Sequence, residues 1–259
     1  MAKAAQADGK KPPESVWTRP RRAKREQPTL TRDQIVDAAL ELLDAEGLDG
    51  LSMRRLGTRL NSGATSVYWH VANKDELLEL ALDRVMGEVR VPRPDDGAEA
   101  DADDGPNDGP DAGGWRAAVA GYARDLRAMI HRHPWTVPLF GAQPMIGPNA
   151  TRVLDEVIGA FDGAGLTGTA LDNAMSLIAD YVIGAAGSEA SWQGVHGTAT
   201  GEDWIQALGP YLDGIAERHP RLTAHIREVW VRDTAGVVEE RFDYGLSCVL
   251  DGIEARTRR

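Results

Sequence analysis

Between Ser52 and Lys74 the chain reads SMRRLGTRLNSGATSVYWHVANK. These residue types suit contact with an anionic polymer rather than bond breaking. Arg54 carries a planar fork of donors that matches guanine O6 and N7, a pairing worth about 1–3 kcal/mol of discrimination. Ala64, Thr65 and Ser66 are short, so a helix that begins with them can seat deeply. Ala64 or the Thr65 methyl can meet a thymine methyl, and Ser66 can donate to a base or a phosphate. Tyr68, His70 and Lys74 suit phosphate contact. Trp69 suits either packing between helices or the sugar-phosphate edge. No Asn or Gln is placed to read adenine, so direct readout is sparse. Phosphate contacts then dominate affinity, and binding weakens steeply as salt rises.

The elements that must present these groups follow from the same stretch. Ser52 caps a short helix on which Met53, Leu56 and Leu60 share an apolar face. Asn61-Ser62-Gly63 is turn chemistry. A second short helix follows, with Val67 and Val71 turned inward. The pattern predicts a helix-turn-helix whose second helix enters the major groove of DNA. Upstream, Thr31 and Gln34 form a capping box, and Ile35, Ala38, Ala39, Leu42 and Leu43 form an apolar stripe that Gly47 terminates. Downstream, Asn73 caps a helix carrying Leu77, Leu78, Leu80, Ala81 and Val85, which reads as a connector with a buried side.

Enzyme chemistry has no constellation to carry it. Cys248 lies on an apolar helix without a base, His131-x-His133 sits beside Pro134 without a third ligand, and no phosphate-binding glycine loop is present. The Asp-rich stretch does not fit an EF-hand loop. No cofactor and no metal are expected.

The charge distribution agrees with one DNA-contacting segment. The formal net charge is −11, yet residues 1–90 carry 15 Lys/Arg against 14 Asp/Glu, while residues 91–259 carry 14 against 26. Only the first third is fit to meet phosphate. Residues 1–28 are expected to be a disordered basic arm, with Arg19, Arg21, Arg22, Lys24 and Arg25 clustered in it. The arm reads either as a solvated tail or as one that follows the DNA backbone or enters the minor groove. Residues 91–114 are expected to be a disordered acidic insert, with eight acids and one Arg among many Gly and Pro. Helical patterns run from Trp115 to Ile130 and resume at about 149–163, 168–190, 202–217 and 222–250, separated from the first by an irregular Pro- and Gly-rich segment after His133. The expected class is all-α, with a helix-turn-helix DNA-binding domain at 29–75 and a ligand-binding and dimerisation domain at 76–259. A single cysteine, no apolar leader and no membrane-length apolar run make cytoplasmic residence the default expectation, with no membrane partner.

Residues 31–86 resemble the N-terminal domain of TetR-family transcriptional regulators, most closely through SVYWHVANKDELL, whose YWHV and Asn-Lys pair are similar to the tetracycline-repressor branch. HPWTVPLFGAQPMIGPNATRVLDEVIGAF is similar to that branch's C-terminal domain, so the resemblance covers roughly residues 30–250. It implies a homodimer that binds a palindromic operator and is released by a small effector, either as a repressor or as an activator of an efflux or biosynthetic gene. It implies a base or adjacent phosphate contact for Arg54. It implies that two long helices, at about 168–190 and 222–250, pair with their mates in a four-helix bundle. Candidate effector contacts are Arg90, Tyr122, Trp135, Phe140, Asn149, Asn173, Tyr181 and Trp192. The branch's His and Asn contacts to tetracycline fall at Arg90 and Tyr122, and its magnesium-binding His and Glu have no clear counterpart. A larger, metal-free aromatic compound, such as a polyketide antibiotic or its precursor, fits better, with Arg90 suited to a carboxylate.

Overall fold

A computed structural model of the chain describes residues 15–17, 30–93, 114–196, 201–229 and 234–257. Among these residues the secondary structure is entirely helical. They group into two compact units, one of residues 1–87 with 138–151 and one of residues 88–137 with 152–259.

In the first unit, α1 (Arg32–Gly50) starts on the reciprocal capping box of Thr31 and Gln34. Gly47 adopts φ +68°, so the regular helix stops there and one more turn leads to Gly50. Helix α2 (Met53–Arg59) is capped by Ser52, whose hydroxyl accepts from Arg55 N. Helix α3 (Ala64–Tyr68) starts at Gly63. Helix α4 (Lys74–Met86) starts at Asn73, which accepts from Glu76 N. Ile35, Leu43, Leu56, Val67, Leu77, Leu82 and Val85 are fully buried and form the unit's core. Helix α4 is buried on nearly every face: Leu77, Leu78, Leu80, Leu82 and Val85 are buried, and so are Glu76, Glu79 and Asp83. It therefore groups with α1–α3 rather than with the residues beyond 75, and the division expected at 75/76 differs accordingly.

The second unit holds α5 (Trp115–Arg132), the first four residues of a 3-10 turn (Pro134–Leu139) after it, most of α6 (Pro148–Asp162), α7 (Gly168–His196), α8 (Gly201–Ile215), α9 (Pro220–Val229) and α10 (Thr234–Thr257). Leu126, Met129, Ile130, Phe161, Ile178, Phe242 and Leu246 are its largest fully buried side chains. The single helical run expected at 222–250 is instead α9 and α10, with residues 230–233 outside the described set, and α7 runs on to His196.

Parts of the two expected disordered segments are ordered. Ser15 and Val16, within the expected arm, are buried at 3% and 7% exposure, while residues 1–14 and 18–29 lie outside the described residues. Val91, expected to open the acidic insert, is buried, and a Cβ on Gly121 would lie 2.4 Å from Pro92 Cγ. Residues 94–113 lie outside the described set. Among the described residues, no helix is long and apolar enough to cross a membrane.

Candidate nucleic-acid interface and effector region

The approach of α2 to α3 is set at Gly57. A Cβ there would lie 2.9 Å from Ala64 N and 3.0 Å from Ser62 O, so the two helices meet backbone to backbone. The turn between them closes with Ser62 N donating to Gly57 O at 2.9 Å, and Asn61 takes the left-handed conformation at φ +48° that its side chain tolerates. Val67 and Val71 are buried beneath α3. Thr65 is exposed, and Ala64 and Ser66 are half-buried on the same short helix.

Tyr68 and Trp69 are 46% and 64% exposed. An aromatic packed between helices of this unit would not keep that much surface, so of the two readings of Trp69 the outward one fits the fold. Arg54 is exposed and its guanidinium has no ion-pair partner among the described residues, unlike its neighbours. Arg55 forms a pair with Glu46, and Arg59 with Glu41. The Glu46 partner raises the Arg55 pKa above its ordinary value.

The segment after α3 is pinned from both sides. Arg32 Nη2 donates to His70 O at 3.3 Å, and Glu76 Oε2 accepts from Ala72 N at 3.0 Å. Lys74 Nζ donates to Leu48 O at 2.7 Å, which ties the start of α4 to the last turn of α1. That bond uses one of the three ammonium protons, so Lys74 positions the fold as well as offering charge.

Sequence reasoning missed a row of three buried acids on α4. Glu76, Glu79 and Asp83 are 7%, 5% and 6% exposed. Glu79 Oε2 accepts from Ser15 Oγ at 2.7 Å and Val16 N at 3.0 Å. Asp83 Oδ1 accepts from Asn149 N at 3.0 Å and Ala150 N at 2.9 Å, and its Oδ2 accepts from Asn149 Nδ2 at 3.1 Å. The available signal was acids at i, i+3 and i+7 interleaved with Leu77, Leu78, Leu80, Leu82 and Val85, an arrangement that places them on one face of a helix with apolar groups on the others.

The residues expected to contact an effector are divided between the two units. Phe140 and Asn149 belong to the first unit, and the Asn149 amide is engaged by Asp83. In the second unit Tyr122 and Trp135 are buried in the core, and burial pushes the Tyr122 phenol up to about 12. Tyr181 donates its hydroxyl to Phe242 O at 2.7 Å, and burial raises its pKa. Arg90 and Asn173 are exposed. Trp192 alone of the set lines a groove of about 610 Å³, together with Val137, Ile183, Gly184, Gly187, Ser188 and Ser191.

A charged network ties α5, α7 and α10 together. Arg127 donates to Glu189 at 2.8 Å and to Glu239 at 2.6 Å, and its guanidinium lies 4.4 Å from the Phe242 ring centre. His131 Nε2 lies 2.7 Å from Glu189. Burial pushes the Glu189 carboxyl up, but the bonds from His131 and Arg127 outweigh it and hold the group below the usual carboxylate range. Glu88 is held low in the same way by Arg132 and His133. Among the described residues no group of three or more His, Cys, Asp or Glu is arranged to hold a metal ion.

The order of α2, turn and α3, with the exposed Arg54, Thr65 and Trp69 beside a buried Val67, agrees with sequence comparison. Residues 35–81 match the profile of bacterial regulatory proteins of the tetR family, and residues 106–257 match the tetracyclin repressor-like C-terminal domain. The chain belongs to the TetR family. It is 34% identical over 254 residues to an HTH-type transcriptional regulator of Saccharopolyspora erythraea, covering 98% of this chain and 97% of that one. It is 38% identical over 247 residues to the HTH-type transcriptional repressor DrrR1 of Streptomyces coeruleorubidus, covering 93% of this chain and 84% of that one. Among solved structures it resembles the TetR-family protein ActR of Streptomyces coelicolor in complex with actinorhodin, at 30% identity and TM-score 0.69, covering 90% of this chain and all of that one. Residues 52–74, which hold α2, the turn and α3, lie inside the segment that matches the family's profile.

Proposed function

We propose that this TetR-family regulator is a ligand-responsive repressor that binds a palindromic operator as a homodimer and is released by a small aromatic effector. The carrying observation is the face around α3, where Arg54, Thr65, Tyr68 and Trp69 are exposed above buried Val67 and Val71. Arg54, Thr65 and Ser66, with Ala64 at the methyl-reading position, form the specificity group, and Tyr68, Trp69, His70 and Lys74 the backbone anchors. Exposed apolar side chains on the two long helices, Leu177 on α7 and Tyr244 on α10, at 47% and 75%, support a dimer built on these helices. A dimer sets two α3 helices at the spacing of successive major grooves.

The relationship to ActR, whose complex holds actinorhodin, supports an aromatic polyketide class for the effector. The Trp192 groove is one wall at which such a compound would stack, and Arg90 supplies an exposed cation for an acidic substituent. An efflux or biosynthetic gene is the fitting target, and the cytoplasm the fitting location. A gel shift of the purified protein on its own upstream intergenic DNA, titrated with actinorhodin and related aromatic polyketides, tests the reading. Retarded DNA that is released by at least one compound is expected. Absence of any retarded species refutes it, and activation of the bound promoter in a transcription assay would favour the activator alternative.

A further inference from the structure

We infer that Ser15–Trp17 is an intramolecular clip that locks α4, making the leading segment of the chain part of the regulator's operator-binding machinery. Three observations carry this. Ser15 Oγ and Val16 N both donate to one buried oxygen, Glu79 Oε2, at 2.7 and 3.0 Å. Trp17 N donates to Ser15 Oγ at 3.2 Å, which folds the tripeptide into a tight turn against the helix. The Trp17 ring reaches the Asp83 joint, since a Cβ on Gly147 would lie 2.7 Å from Trp17 Cζ2 and 2.3 Å from Asp83 Oδ1. The clip thus seats one turn of α4 along from the point where Asp83 holds Asn149 and Ala150.

The chemistry explains both the hold and its reversibility. A carboxylate as buried as Glu79, at 5% exposure, requires donors, and among the described residues its donors are Ser15 Oγ and Val16 N rather than a group of any helix. The clip delivers two, and without it Glu79 returns to water. Against this, Trp17 Nε1 is buried without a hydrogen-bond partner among the described residues. An orphan donor penalises the closed form, so the clip is balanced rather than permanent. Release frees the face of α4 that is anchored at Glu79 and Asp83. The same helix is joined to the segment that follows α3 through Glu76, which accepts from Ala72 N and donates its own N–H to Asn73, and to α1 through Lys74. A looser α4 holds α3 less firmly, and operator affinity falls.

The operator arm of the test rests on the DNA-binding reading, whereas the hydrogen-exchange arm does not. The double variant Ser15→Ala/Trp17→Ala removes the Ser15 hydroxyl that donates to Glu79 and accepts from Trp17 N, together with the Trp17 ring, leaving only the Val16 N donor and changing no charge, so lost phosphate contacts cannot explain its effect. Hydrogen exchange of the full-length protein without DNA should show the amides of residues 77–86 exchanging at least about tenfold faster in the variant, the signature of local opening. Trp17→Phe keeps an aromatic side chain, though a smaller one, and removes the orphan N–H, so it should retain more protection than Trp17→Ala. On the upstream intergenic duplex the double variant should bind with a Kd raised about threefold or more, with an unchanged salt slope. Equal α4 protection in wild type and double variant overturns the clip. Faster exchange with unchanged Kd overturns its part in operator binding. Failure of the wild type to bind the duplex refutes the functional reading and leaves the exchange result to decide the clip.

Discussion

Asp83 acts as the N-terminal cap of α6 from the side of a different helix. It is 6% exposed and accepts both Asn149 N and Ala150 N, donors that the first turn of α6 cannot pair internally. Hydrogen bonds to a charged acceptor contribute about 1.5–3 kcal/mol each. A negative charge at a helix start adds about 0.3–1 kcal/mol, and more where partly buried. The desolvation of the carboxylate opposes these contributions, so they do not simply sum. Asp83→Ala is therefore expected to lower the unfolding free energy by about 3 kcal/mol, chiefly through two stranded backbone donors. Asp83→Asn keeps one carbonyl oxygen that can still take both backbone donors, but it loses the charge and sets an amide NH2 against Asn149 Nδ2, so it should cost about 1–2 kcal/mol. Urea unfolding followed by tryptophan fluorescence and far-ultraviolet circular dichroism reads both. If Asp83→Ala falls within about 0.5 kcal/mol of wild type, or Asn proves as damaging as Ala, the capping account is wrong.

Thr65→Ala and Ser66→Ala should change base preference in a binding selection, whereas Lys74→Ala should weaken binding across all sequences and reduce the salt slope by about one. Because Lys74 also holds Leu48 O, that variant should lose about 1 kcal/mol of stability as well, visible in the same urea titration. Gly57→Ala places a methyl 2.9 Å from Ala64 N, a backbone atom that cannot yield without moving α3. Thermal melting should show a loss of about 1–3 kcal/mol, with operator binding reduced beyond what that loss explains. Glu88 and Glu189 are held below the usual carboxylate range in the folded state, so the unfolded chain takes up protons first. Their contribution is complete above the ordinary Glu value of about 4.3 and disappears as pH falls from there through the folded values. Glu189→Gln should flatten the acid limb of stability against pH, and an unchanged limb would remove Glu189 from that account.

The helices and caps of the first unit were legible in the sequence because they rest on local rules. Thr31, Ser52 and Asn73 each cap the helix that follows them, and Val67 and Val71 point inward as period and size dictate. What escaped were partnerships across long sequence separations. Nothing near Glu79 in sequence announces Ser15, 64 residues away, and nothing near Asp83 announces Asn149, 66 residues away. The effector candidates are aromatic or polar residues of the expected ligand-binding domain, and residue type does not separate core from surface. Tyr122 and Trp135 became core, Arg90 and Asn173 surface, and Asn149 a structural donor, while Trp192 came to line a groove. The run at 222–250 read as one helix because its apolar spacing continues, and spacing alone does not mark where α9 gives way to α10.

The first unit is not a continuous piece of chain, since residues 138–151 belong to it although residues 88–137 intervene. This constrains how such regulators can be recombined. A chimera made by joining a foreign DNA-binding head to this chain at residue 87 would bring its own α4 to a return segment whose Gly147, Asn149 and Ala150 are matched to Asp83. The stranded donors would be Asn149 N and Ala150 N, and the seam would fail at a place remote from the cut. Exchange of heads therefore calls for two coupled grafts, and interchange among relatives is favoured where residue 83, Gly147 and the opening turn of α6 travel together.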